Sequence, residues 1–223
     1  IIGNQSKHND RLSYIRKYSE NQTWLFKNNL DIFNQEINWS EDSIVRFARW
    51  RIKSINIESA NNPDENIFIF KEKYSDQMFK LANMPKEYEV KSAYSLTGYA
   101  SLLESVKKKK IKRIPKNKNI KIVKFVNYNT FDGIKIKIKL FDIDNEIYAH
   151  FSVDSDISIR KELPKEEPEI VGLPNMMSFK EVEVEANNYD YIGEWLYKLD
   201  HNTEKELLKP FSEIIKKKEA KNN

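Results

Sequence analysis

Ile134-Lys135-Ile136-Lys137-Ile138-Lys139-Leu140 alternates apolar and cationic residues without a break. A period of two puts four apolar side chains on one face and three lysines on the other. The segment therefore reads as a strand with one buried and one wet face. On its N-terminal side, residues 120–128 form a second β-rich run, joined to the first through Asn129-Thr130-Phe131-Asp132-Gly133. On its C-terminal side, Asp142-Ile143-Asp144-Asn145 turns the chain into a returning strand over residues 146–153. Three such runs joined by short turns predict an antiparallel meander.

Further out, the same reading predicts a hairpin from residues 11–18 and 22–26 and strands over 51–58, 67–70, 77–81 and 195–199. The chain opens on Ile1-Ile2-Gly3, which reads as the middle of a strand and suggests a processed form or a fragment. Ser40, ahead of acids and Ile44, Val45, Phe47 and Ala48, predicts a short helix over residues 38–48. Ser95, Leu96, Tyr99, Ala100, Leu102, Leu103 and Val106 recur at steps of three and four. They predict an amphipathic helix over 92–109, with Lys107–Lys110 in its last turn and Gly98 marking a close approach. Leu207, Leu208, Phe211, Ile214 and Ile215 predict a second amphipathic helix over 203–218, bent or restarted at Pro210. An aromatic-x-Leu step precedes both helices, at Phe79-Lys80-Leu81 and Tyr197-Lys198-Leu199, which suggests two repeated hairpin–helix units. The expected fold is α+β with mainly antiparallel sheets. The expected division is an N-terminal unit over 1–118 and a meander-plus-helix unit over 119–223. The latter carries a mobile acidic loop at 154–188 with a helix late in it.

The chain has 223 residues and a formal net charge of +4, but the excess is local. Residues 107–124 hold ten Lys or Arg and no acid, whereas residues 154–190 hold ten acids against four bases. With 12% aromatics, five Gly and seven Pro, the composition excludes collagen-like, low-complexity and wholly disordered chains. The absence of Cys removes disulfides, thiolate nucleophiles, Cys-ligated zinc and iron–sulfur clusters. His8, His150 and His201 lie far apart, so no His-rich metal site is expected. Asp142, Asp144 and Glu146 alternate like the start of a calcium loop. The loop's Gly is missing at Ile147 and its Glu at Val153, so these residues read as a hairpin turn. Trp24, Trp39, Trp50 and Trp195 read as core or boundary packing. No phosphate loop, Gly-x-Ser-x-Gly elbow or His-Glu-x-x-His segment is present. A non-enzymatic protein is expected, with no catalytic residues and no cofactor.

Several motifs follow one another in a recognisable order. They are Ile2-Gly3-Asn4, Tyr14-Ile15-Arg16, Gln22-Thr23-Trp24-Leu25, residues 52–57, Thr130-Phe131-Asp132-Gly133-Ile134, and Gly193-Glu194-Trp195-Leu196-Tyr197-Lys198-Leu199. The chain resembles, over nearly its whole length, the bacterial family called domain of unknown function 4340. That resemblance implies an extracytoplasmic domain held at the periplasmic face of the inner membrane by an N-terminal anchor, which this chain does not show. It also implies a place beside a gliding-motility-type ABC export system, as accessory or scaffold, with a permease or auxiliary subunit as partner. The chain departs from the family in its longer, Lys-rich link before the meander. The alternative is a soluble polyanion- or glycan-binding module.

Two segments are the candidate working surfaces. The first is basic: Lys107, Lys108, Lys109, Lys110, Lys112 and Arg113. It suits an acidic protein or anionic lipid better than nucleic acid, because aromatic neighbours for base stacking are scarce before Phe125. It reads equally as a helix end followed by a solvated strand edge, or as a surface covered by the acidic loop of the same molecule. The second is Met176, Met177 and Phe179, an apolar cluster that either docks a partner or folds back on the body.

Overall fold

The computed structural model describes residues 2–6, 9–16, 20–27, 43–114, 120–160 and 172–218. Contacts divide the chain into residues 1–39 and residues 40–223. In the first unit, β1 (Ile2–Ser6), β2 (Asn9–Arg16) and β3 (Thr23–Lys27) form an antiparallel sheet in that order. The expected hairpin is its second pair, with Ile15 opposite Trp24.

The second unit is built on eight antiparallel strands. They are β4 (Ile52–Ser59), β5 (Ile67–Phe70), β6 (Lys80–Leu81), β8 (Lys108–Arg113), β9 (Lys121–Thr130), β10 (Ile134–Ile143), β11 (Glu146–Ser155) and β12 (Trp195–Leu199). Their order in space is β6-β5-β4-β9-β10-β11-β12-β8. A separate pair joins β7 (Tyr88–Val90) to β13 (Ile215–Lys217). Strands from both sides of residue 118 share the large sheet, through β4 with β9 and β12 with β8. The expected boundary at 118/119 therefore gives way to one at 39/40. The protein is α+β and mainly antiparallel.

The meander forms as its alternation requires. Ile134, Ile136, Ile138 and Leu140 are buried, while Lys139 between them is exposed. Asp144 and Asn145 take positive φ values of 55° and 63° between the paired Ile143 and Glu146. That is the two-residue turn whose twist suits a hairpin. At the other end, the Thr130 hydroxyl bonds Asp132 and accepts from the Ile134 amide. Gly133 sits at φ +110°, and a Cβ there would lie 3.2 Å from both Asp156 O and the Phe179 ring. Conformation and space both require glycine at this position.

Three helices cover one face of the sheet: α1 (Ala93–Ser101), α2 (Phe179–Asn187) and α3 (His201–Leu208). Leu96, Tyr99, Ala100, Val182, Ala186 and Leu207 join Ile55, Ile57, Ile136 and Phe151 in one core cluster. Ser178 and Glu181 form a capping box on α2, the helix expected late in the acidic segment. Asp200 caps α3 by accepting from the amides of Asn202 and Thr203. Lys124 reaches in from β9 and donates to the carbonyls of Leu208 and Lys209, each at 3.0 Å, closing the other end of α3.

Several expectations are corrected. Of the helix expected over residues 38–48, residues 38–42 with Ser40 lie outside the described residues, and residues 43–48 are not helical. Their amides at Ile44 and Phe47 donate to Val106 O (2.8 Å) and Leu103 O (2.7 Å), which buries the apolar set without a helix. Helix α1 stops at Ser101 and tightens into a 3-10 turn over Leu102–Glu104, so Lys107–Lys110 are not its last turn. Gly98 has nothing within 4 Å of an added Cβ, so it marks no close approach. Helix α3 ends at Leu208 because Lys209, preceding Pro210, is pushed to ψ 131°. Residues 215–217 then pair as a strand. Residues 77–79 are not strand, and β6 begins at Lys80. The echoed strands β6 and β12 lie toward opposite ends of the sheet. Residues 161–171 of the acidic loop and Trp39 fall outside the described residues.

Candidate functional site

The basic segment becomes β8, the terminal strand of the sheet, paired on one side with β12. The pairing sets Trp195 opposite Arg113, Tyr197 opposite Ile111 and Lys198 opposite Lys110. Ile111 therefore turns toward the core, and Lys110 and Lys112 turn to the opposite, outer face. A run of lysines offers no apolar stripe for a helix to bury, whereas an edge strand needs to bury little.

The expected residues are thus separated by the strand's geometry. Lys109 and Lys110 are exposed. Lys107 forms a bridge with Ser43 before the strand begins. Lys108 is 9% exposed, so it presents little charge to solvent. The Lys112 ammonium lies 5.3 Å from the Tyr148 ring centre, and the Arg113 guanidinium 5.2 Å from that of Trp195. Met177 and Phe179 pack against the core, and Met176 is half-buried. The apolar cluster folds back and is not displayed as a docking knob.

Glu146 organises the outer face beside β8. Its carboxylate accepts from Lys198 and from the Tyr148 hydroxyl (3.0 Å), with Lys110 at 3.8 Å. The Lys198 hydrogen bond, then that from Tyr148, hold the Glu146 carboxyl below its ordinary range, and Lys198 is raised in return. Glu146 and Lys198 are part-buried and Tyr148 is buried, and together they orient the lysines.

The register then reveals a surface the linear reading left in pieces. Lys135, Lys137 and Lys139 project from β10 to the same outer face. Across the strands, Asn129, Lys135 and Asp154 form one row; Asn127, Lys137 and Ser152 a second; and Phe125, Lys139 and His150 a third. Lys137 lies 3.2 Å from Asp154, and Lys135 lies 4.0 Å from Asp156. Together with Lys110, Lys112 and Lys198, this makes six lysines on the side away from the helices. The period-two pattern already pointed the β10 lysines to solvent. The β11–β12 and β12–β8 pairings bring the others to the same face, with β11 between the two groups. His150 is held by a 2.8 Å contact between Nε2 and Gly193 O.

Among the described residues no group of three or more His, Asp or Glu is placed to hold a metal ion, and Asp144 serves the hairpin turn. No helix of the described residues is long and apolar enough to cross a membrane. Comparison of the chain with protein-family models, with curated proteins and with solved structures finds no match. The resemblance to the domain of unknown function 4340 family therefore rests on its motifs alone.

Proposed function

We propose that this protein is a non-enzymatic interaction module. It receives an extended acidic segment of a protein partner along β8. The observation that carries the reading is that the most basic six residues of the second unit form the last strand in the sheet order. An edge strand keeps one row of backbone donors and acceptors free for a further strand. Lysines along it repel a second copy of the same edge and attract an acidic one, so they act as a filter as well as a protection. An export-complex subunit at the inner membrane, as the family resemblance implies, could supply such a segment. That placement rests on the resemblance.

A ten-residue peptide alternating Glu and Val tests the proposal. We expect binding that weakens by at least roughly tenfold when the backbone amides of the peptide are N-methylated on one edge, because strand addition needs its N–H donors. We expect a similar loss in the Lys109→Glu/Lys110→Glu double variant. Equal affinity for the methylated and unmethylated peptides would sink strand addition.

A second reading, a polyanion-binding surface, is favoured by the six outer-face lysines. Its signature is heparin binding that falls steeply with salt and is weakened by Lys135→Gln, Lys137→Gln and Lys139→Gln together. Salt-insensitive binding, or none, would remove it.

A further inference from the structure

Far from β8, a cavity of about 430 Å³ opens between the segment after β5 and the first turns of α1. Its wall includes Trp50, Lys71, Tyr74, Met78, Phe79 and Thr97. Trp50 and Met78 are 38% and 40% exposed, so the apolar lining continues out to the mouth.

Lys71 is unusual in this setting. The residue is 4% exposed. Its ammonium donates to Trp50 O at 2.9 Å and more loosely to Tyr74 O at 3.5 Å. It also lies over the rings of Phe79 (5.3 Å), Phe131 (5.4 Å) and Tyr74 (6.0 Å). No carboxylate of the described residues forms an ion pair with it. The nearby Asp76 uses its Oδ2 to accept from the amides of Glu72 and Lys73. An ammonium has three donors, and carbonyls and ring faces compensate a buried charge only in part. Burial accordingly pushes the Lys71 ammonium down to about 8. A second orphan lines the same cavity: the Thr97 hydroxyl is buried and lacks a hydrogen-bond partner among the described residues.

We propose that this cavity binds a small aromatic carboxylate, its acid group paired with the Lys71 ammonium and hydrogen-bonded by Thr97, its ring held among Trp50, Tyr74 and Phe79. The charge count sets the class. Of the other charged residues on the wall, Asp76 is engaged by the Glu72 and Lys73 amides, and Arg49 is exposed, 4.0 Å from Glu104. That leaves one buried cation to match a singly charged acid; a di- or triphosphate would need several cations or a row of amides. The volume suits a one- or two-ring molecule, and aromatic walls with a few convergent polar groups are the usual make-up of such sites. This site is independent of the β8 surface, so either assignment can fail alone.

The test uses two fluorescent probes of similar shape: 1-anilinonaphthalene-8-sulfonate, which carries an aryl anion, and neutral N-phenyl-1-naphthylamine. Titrations are made on the full chain in about 0.3 M salt, which screens the surface lysines while leaving a buried pair largely intact. We expect saturable binding of one anionic probe per chain, weakened at least roughly tenfold in Lys71→Met and about threefold in Thr97→Val. The neutral probe should bind Lys71→Met as it binds the wild type. Anion affinity unchanged in Lys71→Met overturns the proposal, as does failure of both probes to bind the wild type. Equal loss of both probes in Lys71→Met overturns it too, since the pocket rather than the charge would then be responsible.

Discussion

Two buried cations, Arg51 and Lys71, show opposite solutions to the same electrostatic problem. Arg51 is 8% exposed and Lys71 4%. Arg51 bonds Asp132 through Nε at 2.8 Å and grips Glu185 with both terminal nitrogens at 2.8 and 2.6 Å. It also lies over the Phe47 ring at 5.7 Å. Its partners come from the turn after β9 and from α2, so the guanidinium ties helix to sheet. Although desolvation opposes the charge, the two carboxylates raise the Arg51 pKa above its ordinary value. Lys71 bonds carbonyls and faces rings, the nearby Asp76 carboxylate offsets only part of the desolvation, and its charge is disfavoured. A buried charge with matched, forked counter-ions serves architecture. One without them weakens the fold and is better explained by something that binds.

The sharpest break in this contrast is Arg51→Ala. It strands Asp132, which is 1% exposed, and should cost about 3–5 kcal/mol, read by urea denaturation. A loss below about 1 kcal/mol would mean that the network is not what holds α2.

Lys71→Met should act in the other direction. It removes an uncompensated charge at similar volume and should stabilise the protein by about 2 kcal/mol at pH 7. The same group gives a pH signature. Its folded pKa of about 8 lies below the ordinary lysine value of 10.5, so the unfolded chain binds more protons between these limits. Wild-type stability relative to Lys71→Met should therefore rise as pH climbs from about 8 to 10.5, at up to about 1.4 kcal/mol per pH unit. The difference between the two chains is the quantity to plot. Tyr74, Tyr99 and Tyr128 are all raised by burial and add their own alkaline dependence to both. A constant difference across this window would contradict the assignment.

The smallest effect separates propensity from both cations. Gly98 is exposed on α1 with open space around it, so Gly98→Ala should stabilise by about 1 kcal/mol without touching either site. Thermal melts of Gly98→Ala alone and combined with Lys71→Met should show additive shifts.

Much of the meander was legible because local signals agreed. The alternation over residues 134–140, the Asp144-Asn145 turn and Gly133 each point to the same hairpins. The helix expected over 92–109 failed at its C-terminal end for an identifiable reason. Leu103 and Val106 do bury and Leu102 is partly buried, but residues 43–48 supply backbone partners to Leu103 and Val106 and draw the chain out of the helix. Lys71 left no mark in the sequence, since Phe70-Lys71-Glu72 reads as the charged end of a strand. Its burial depends on Trp50, Phe79 and Phe131, which come from three separate segments.

The sequence by itself determined the α+β class, the wet and dry faces of β10, most of the strands and the concentration of positive charge at residues 107–113. These follow from spacings of two to four residues, where neighbours along the chain are neighbours in space. Tertiary structure alone decided that the basic segment is the edge of an eight-stranded sheet, that six lysines share its outer face, and that one lysine is enclosed among rings with no ion pair among the described residues. Those outcomes turn on pairings between residues far apart in the chain, such as Lys198 with Lys110, and on desolvation, which no short pattern of residues encodes.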